Sequence, residues 1–291
     1  MKKRLLGLIF APILLLTGCK LNNVAVSGDV IDKEILIENI NKISISDIYL
    51  QNGNTHFGPT VYVKNDETKK PKVIIKSPES LVDKINVKAN ENSLKISASP
   101  FDRYITDVCQ IYVYNCVLKE IDLDNAVKML VSSGTITDDN IKIDLKGASS
   151  ISMYGGTLNK LSISVSGASS FSAEMLRLND LEADISGASS VFVNDFQADE
   201  VFLDISGASS CEAKGVINLL DLDVSGASQV RFIDAPITNC KGELSGASVA
   251  YITINSNLKL ELSGASLLYY KGDIKNIDVN LSGGSSIKSY N

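Results

Sequence analysis

The sequence predicts an all-β protein: a parallel β-helix (solenoid) of about nine or more coils with an irregular β cap at its N-terminal end. Three observations carry that expectation. The motif Ser-Gly-Ala-Ser, or a close variant, recurs with its glycine at Gly147, Gly167, Gly187, Gly207, Gly226, Gly246, Gly264 and Gly283, in steps of 20, 20, 20, 19, 20, 18 and 19 residues. Two, four and six positions before each glycine the residues are mostly apolar and those between mostly polar, as in Ile141, Ile143 and Leu145 or Leu258, Leu260 and Leu262. Four positions after each glycine a further column begins, running from Ile151 and Phe171 to Leu268 and Ile287. A fixed period of this length marks a repeat architecture, and the alternation marks strands with one buried face.

A third apolar cluster, such as Met175, Leu176 and Leu178, completes a coil of three short strands and three bends. Leucine-rich repeats have a similar length, but their Leu-x-x-Leu-x-Leu-x-x-Asn pattern is missing. So is the calcium-binding Gly-Gly-x-Gly-x-Asp repeat, and propeller blades need about forty residues or more. The glycine suits a sharp corner because it reaches positive φ without cost. No coil is expected to be stable alone, so burial between neighbouring coils must make the stack cooperative.

Taken in order, residues 1–18 read as a signal peptide: Lys2, Lys3 and Arg4 precede an apolar run, Leu5 to Leu16, too short to span a bilayer comfortably. The sequence Leu16-Thr17-Gly18-Cys19 resembles a bacterial lipobox. That resemblance implies cleavage before Cys19 and a lipid on its sulfur, and Lys20 in place of an aspartate points to the outer membrane. Residues 19–33 are expected to be the lipidated cysteine and a polar tether. Residues 34–105 hold strand-like runs such as Val61-Tyr62-Val63 and Val73-Ile74-Ile75, and are expected to be irregular cap and opening coils that blunt the exposed strand edges. Residues 106–140 are expected to be degenerate coils. There Ile121 to Met129 aligns with Ile143 to Ile151, with Asn125 at the glycine position, and asparagine tolerates the left-handed region. Residues 141–291 are the regular coils. The chain shows no evident C-terminal cap, so the open end is expected to stay bare or to meet a second copy in a homo-oligomer.

The segment Ser77 to Val87 (Ser-Pro-Glu-Ser-Leu-Val-Asp-Lys-Ile-Asn-Val), then Asn92 to Ile96 (Asn-Ser-Leu-Lys-Ile), then Ser-Gly coils, resembles the head GIN domain of putative autotransporter adhesins. The resemblance covers roughly Glu34 to Asn291. It implies a secreted or lipid-anchored bacterial protein with an adhesive role, and it brings no catalytic residues.

Composition excludes several classes. Loss of residues 1–18 takes the net charge from −6 to −9, which argues against nucleic acid and against a basic membrane-binding face. His56 is the only histidine, and no Gly-x-Ser-x-Gly elbow, phosphate loop or dinucleotide fingerprint is present. Zinc sites built from Cys and His are disfavoured. Cys211 and Cys240 are expected to be buried thiols; a Cys109–Cys116 disulfide would need a turn between the two.

Two outward columns are candidate sites. Three positions before the glycine, Asp184, Asp204, Asp223, Glu243 and Glu261 place a carboxylate on five consecutive coils. This stripe would bind divalent cations such as Ca2+, or a basic partner surface; as a plain solvated face, it would have its repulsion relieved by Lys241, Lys259 and water. Five positions after the glycine, Tyr251 and Tyr269 would stack outward as contacts for a glycan or protein, or simply brace adjacent coils. The eight equivalent serines, Ser149 to Ser285, are expected to form a structural hydroxyl ladder, since eight copies do not make one catalytic constellation. The sequence therefore points to a non-enzymatic, lipid-anchored outer-membrane protein that binds a glycan or protein ligand. A carbohydrate-active β-helix enzyme and an envelope scaffold are the alternatives.

Overall fold

Alternation of period two commits each repeat to strands, and the strands close into the expected solenoid. The computed structural model describes residues 21–38, 40–135 and 139–290. Six long runs, Ser150–Val165, Ser170–Ile185, Ser190–Ile205, Ser210–Val224, Gln229–Leu244 and Val249–Leu262, pair in parallel, each with the next. Pairing between the first two skips Gly155 and Asn159, which divides a coil into three stretches. Positive φ at Gly155 (69°), Met175 (57°) and Asp195 (48°) makes the first of these bends. We call the stretch after the refrain the first face (150–154), the next the second (156–158) and the one before the following refrain the third (160–165). The predicted separate strands are thus one hydrogen-bonded run folded over three faces.

The refrain corners stand in one file. Ala168 N–H donates to Gly147 O at 2.8 Å, Ala188 to Gly167 at 2.8 Å, Ala208 to Gly187 at 2.8 Å, and the series continues to Gly284 N–H and Gly264 O at 2.7 Å. Two constraints demand glycine here. The φ angles run from 64° to 78°, and a Cβ on Gly167, Gly187 or Gly207 would lie 2.5 Å from the preceding glycine's carbonyl oxygen. Asn125 takes the corresponding place above Gly147 with φ 64°, and Asp47 above it with φ 60°; Asn125 Nδ2 donates to Asp47 Oδ1 at 3.3 Å. About eight refrain turns result. The serines after the corner are buried from Ser149 to Ser266, but the hydroxyl ladder is incomplete. Ser266 Oγ donates to Leu244 O at 3.2 Å, whereas the Oγ atoms of Ser149, Ser169, Ser189 and Ser248 have no partner among the described residues.

The opening layers stack out of sequence order. On the third face Ser93–Ser97 lies over Lys42–Ser46, which lies over Glu120–Leu123 and then Asn140–Leu145. On the first face Gln110–Tyr114 lies over Thr60–Lys64, then Lys128–Val131, then the regular coils. The chain thus begins in the second layer, returns to make the first, and then drops to the third. Antiparallel strands Lys72–Pro78 and Asn86–Asn90, joined by the short helix Glu79–Val82, close the exposed edge as a cap. The stretch expected to be a tether is part of this cap. Asn22–Ala25 pairs with Asp102–Ile105, and Val30–Leu36 pairs with Lys72–Pro78, because Val24, Val26 and Ile35 find apolar cover against the core. At the other end the inward-column residues Ile277 and Leu281 are 54% and 49% exposed. Residues 1–18 and Cys19 lie outside the described residues.

All four described cysteines are buried and free. Cys109 and Cys116 flank the straight strand Gln110–Tyr114, so the turn that a disulfide would need is absent. Burial pushes the Cys109 and Cys211 thiols up to about 12 and that of Cys116 up to about 11.

The corner file sets a graded expectation. Gly207→Ala should lower stability by about 3 kcal/mol, combining positive φ with a backbone collision. Gly53→Ala, at φ 57° with nothing within 4 Å, should cost only about 1 kcal/mol. Urea midpoints read the difference; equal losses would show that the glycine file is no special constraint.

Candidate functional site

Because register never slips on the third face, outward side chains form straight files. Three positions before the glycine the file runs Ser44, Asp122, Asp144, Ser164, Asp184, Asp204, Asp223, Glu243, Glu261 and Asn280. Five positions before it runs Lys42, Glu120, Lys142, Ser162, Glu182, Phe202, Asp221, Lys241, Lys259 and Asp278. The two files treat charge differently. In the second, Lys42 pairs with Glu120 at 2.7 Å and Lys241 with Asp221 at 3.0 Å, while Lys160 reaches Glu182 at 2.8 Å. Lys160, and then the Ser162 hydroxyl, hold the Glu182 carboxyl below its usual range.

In the first file Asp184, Asp204, Asp223, Glu243 and Glu261 make no ion pair among the described residues. The relief expected from Lys241 does not reach them, because that side chain is committed to Asp221. Nor do they converge: among the described residues no three acidic, histidine or cysteine side chains lie close enough to hold a metal ion. Calcium takes about six to eight oxygens at ~2.3–2.6 Å, and a straight file at strand spacing presents too few to any one point.

Between the two files runs a groove of about 420 Å³ over five coils, within the ~300–1,000 Å³ range of small-molecule sites. Its walls are Ser164, Asp184, Asp204 and Asp223 on one side and Lys142, Ser162, Glu182, Phe202 and Asp221 on the other; Ile143, Ile163, Ala183 and Leu203 lie beneath. Small Ser162 and Ser164 keep one end low. Phe202 is 37% exposed and has no ring or cation partner among the described residues. Sequence reasoning missed it, although an aromatic at an outward position of a period-two strand was the available signal.

The first face carries its own file: Tyr112, Tyr62, Leu130, Ser152, Ser172, Phe192, Glu212, Arg231, Tyr251, Tyr269 and Lys288. Tyr251 and Tyr269 stack as expected, with centroids 4.8 Å apart and planes 7° from parallel. Arg231 lies 4.8 Å from the Tyr251 centroid and Lys288 5.8 Å from that of Tyr269. Each ring therefore has one face on its neighbour and the other under a cation, which leaves edges and hydroxyls for any ligand. The same device recurs near the cap, where Tyr62 stacks on Tyr112 at 5.0 Å and Lys64 lies 4.7 Å from the Tyr112 centroid.

Two further features bear on chemistry. Asparagines at the second-to-third corner bond from coil to coil, with Asn179 Nδ2 to Asn159 Oδ1 at 2.8 Å, Asn257 to Asn239 at 2.6 Å and Asn276 to Asn257 at 2.7 Å. Sequence reasoning also missed this ladder, which was visible as asparagines seven or eight residues before several glycines. His56 is exposed on a hairpin, opposite Gln51.

The sequence matches the family described as putative auto-transporter adhesin, head GIN domain, over residues 56–195 and 162–273. Among solved structures it is similar to a putative adhesin from Parabacteroides merdae ATCC 43184, with TM-score 0.65 and 16% identity, covering 93% of this chain and 100% of that one. A putative adhesin from Parabacteroides distasonis ATCC 8503 gives TM-score 0.60 at 16% identity over 92% and 100%. A putative lipid binding protein from the same organism gives 0.56 at 14% over 93% and 100%. At such identities the likeness speaks for the fold. No protein of curated function matches.

A double-mutant cycle of Tyr251→Ser and Tyr269→Ser should give a coupling of about 0.5–1.5 kcal/mol in unfolding free energy, as a covered ring pair requires. Additive losses would show that the rings do not support one another.

Proposed function

The chain belongs to the putative auto-transporter adhesin head GIN domain family, and from that premise we propose that it is a non-enzymatic binding module of the cell envelope, anchored by lipid on Cys19. The adhesin names of the family and of two structural neighbours support the binding role. The observation that carries it is the groove on the third face, where Phe202 and a file of carboxylates, neither with a ring, cation or ion-pair partner among the described residues, lie side by side on a sheet whose backbone groups are already paired. Catalysis by the same groove finds less support. Glycoside hydrolysis needs one carboxyl held protonated as an acid, and Glu182 in the groove wall is shifted the other way.

The anchor has a geometric consequence. Paired structure starts at Asn22, three residues after Cys19, and three residues span ~10 Å at most. The cap end therefore stands at the membrane, and the files run away from it.

Cys19→Ser should abolish incorporation of labelled palmitate and move the protein from the membrane to the soluble fraction; an unlabelled variant still held at the membrane would overturn the anchor. A screen of glycans and envelope proteins should yield at least one retained class. Retention of none would remove the binding-module reading.

A further inference from the structure

The groove's chemistry narrows the ligand, an inference that rests on the binding-module reading above. We propose that the groove beside Phe202 takes a glycan bearing free amino groups, with a pyranose ring laid on Phe202 and its ammonium groups received by Asp184, Asp204 and Asp223.

What the walls lack decides this first. The backbone N–H groups at 184, 204 and 223 lie in strands hydrogen-bonded coil to coil, so they are not offered to a ligand. Of the lysines around the groove, Lys160 is spent on Glu182 and Lys241 on Asp221, and Lys142 lines only the end of the groove, two coils from Glu182. The remaining wall is dominated by carboxylate side chains, whose oxygens are acceptors. A bound ligand must therefore be rich in donors. An extended peptide brings a carbonyl acceptor for every N–H, and buried acceptors without partners are costly. It also cannot add as a strand, because mid-stack coils have no free edge. Sugar hydroxyls and ammonium groups are the donors that such a wall can satisfy.

Charge gives the second argument. Asp184, Asp204 and Asp223 stand on successive coils with no counter-ion among the described residues. A chain with one positive group per sugar relieves that repulsion at several coils together. Sulfated or uronic glycans would add to it.

Phe202 supplies the third. Its ring is exposed between Glu182 and Asp221 in the same file, and no aromatic or cationic side chain among the described residues covers it. One face of a pyranose is a patch of C–H groups that suits such a platform, with acceptors on either side to take the ring's hydroxyls. A flexible polyamine would use the carboxylates and leave the ring bare.

The test is calorimetric titration of the full-length protein in detergent with a glucosamine tetramer, its fully N-acetylated counterpart, and tetralysine. The free-amine sugar should bind, the acetylated one should not, and tetralysine should bind more weakly. Phe202→Ala should weaken the sugar about tenfold and leave tetralysine unchanged, and Asp204→Asn should weaken both. Thermal melting checks that each variant is folded. Equal binding of the acetylated sugar, or tetralysine binding as tightly as the sugar with neither sensitive to Phe202→Ala, would overturn the proposal, as would no binding of the free-amine sugar. If ligands from the broader screen still bound, unaffected by Phe202→Ala, the groove would be excluded while the module reading stood.

Discussion

The close approach of each refrain glycine to the carbonyl of the glycine before it governs this molecule. A side chain at that corner would collide with backbone, and the left-handed turn disfavours one as well. With no side chain, the coil closes on its predecessor through a hydrogen bond of 2.7–2.8 Å, repeated at every step. That bond fixes where each coil begins relative to the last. Register cannot drift on the faces flanking the corner, since a slip of one residue would turn the whole apolar column outward. Slack is taken up from the end of the first face onward, where steps of 18 to 20 residues are absorbed; register shifts between Glu212 and Lys214 and between Phe232 and Asn239, and pairing is intact again from Asn239 to Leu244.

Fixed register turns side-chain choice into a linear design. Every outward position becomes a file at strand spacing, and each file must resolve its own electrostatics. One alternates Lys and acid and neutralises itself, as Lys42–Glu120 and Lys241–Asp221 do. Another seals two tyrosines between Arg231 and Lys288, which converts exposed aromatics into a brace. A third links asparagine amides end to end, each side chain acting as both donor and acceptor. The carboxylate file from Asp184 to Glu261 adopts none of these solutions.

Much of this was readable from the residues. Period two gave the inward columns, and the regular glycine gave the corner. Even Asn125 could be placed as a stand-in, because so few residue types tolerate its φ. The layer order of the cap was not readable. The strands around Ile43, Leu94 and Ile121 carry the same short alternation, and nothing local tells which lies on which. Only the antiparallel return through Lys72–Pro78 and Asn86–Asn90 reorders them. The region before Glu34 read as tether because Val24 and Val26 form only a short apolar run among polar neighbours, yet both are packed against the core. Phe202 escaped notice for the opposite reason: a phenylalanine in a strand is assigned to the interior by habit, while its parity places it outside. The fate of Lys241 was undetermined, since carboxylates flank it in two directions and only side-chain geometry chooses.

The un-neutralised file is therefore a departure from what this fold does elsewhere with charge. Neighbouring unit charges at strand spacing repel by on the order of 1 kcal/mol in water, less in salt, so five in a row carry a modest standing cost in the free protein. In the adjoining file Lys241 neutralises Asp221, which stands one coil step from Phe202, so the architecture has the remedy within reach. Part of that file runs beside the exposed Phe202 and the small serines that lower the surface. Repulsion, an uncovered ring and a shallow trough at one place are each mildly unfavourable in an empty protein. All three are relieved together by a flat, donor-rich cation lying along the stack. The coincidence of the three on the same few coils is what singles out this face, rather than the braced tyrosines, for the proposed binding role.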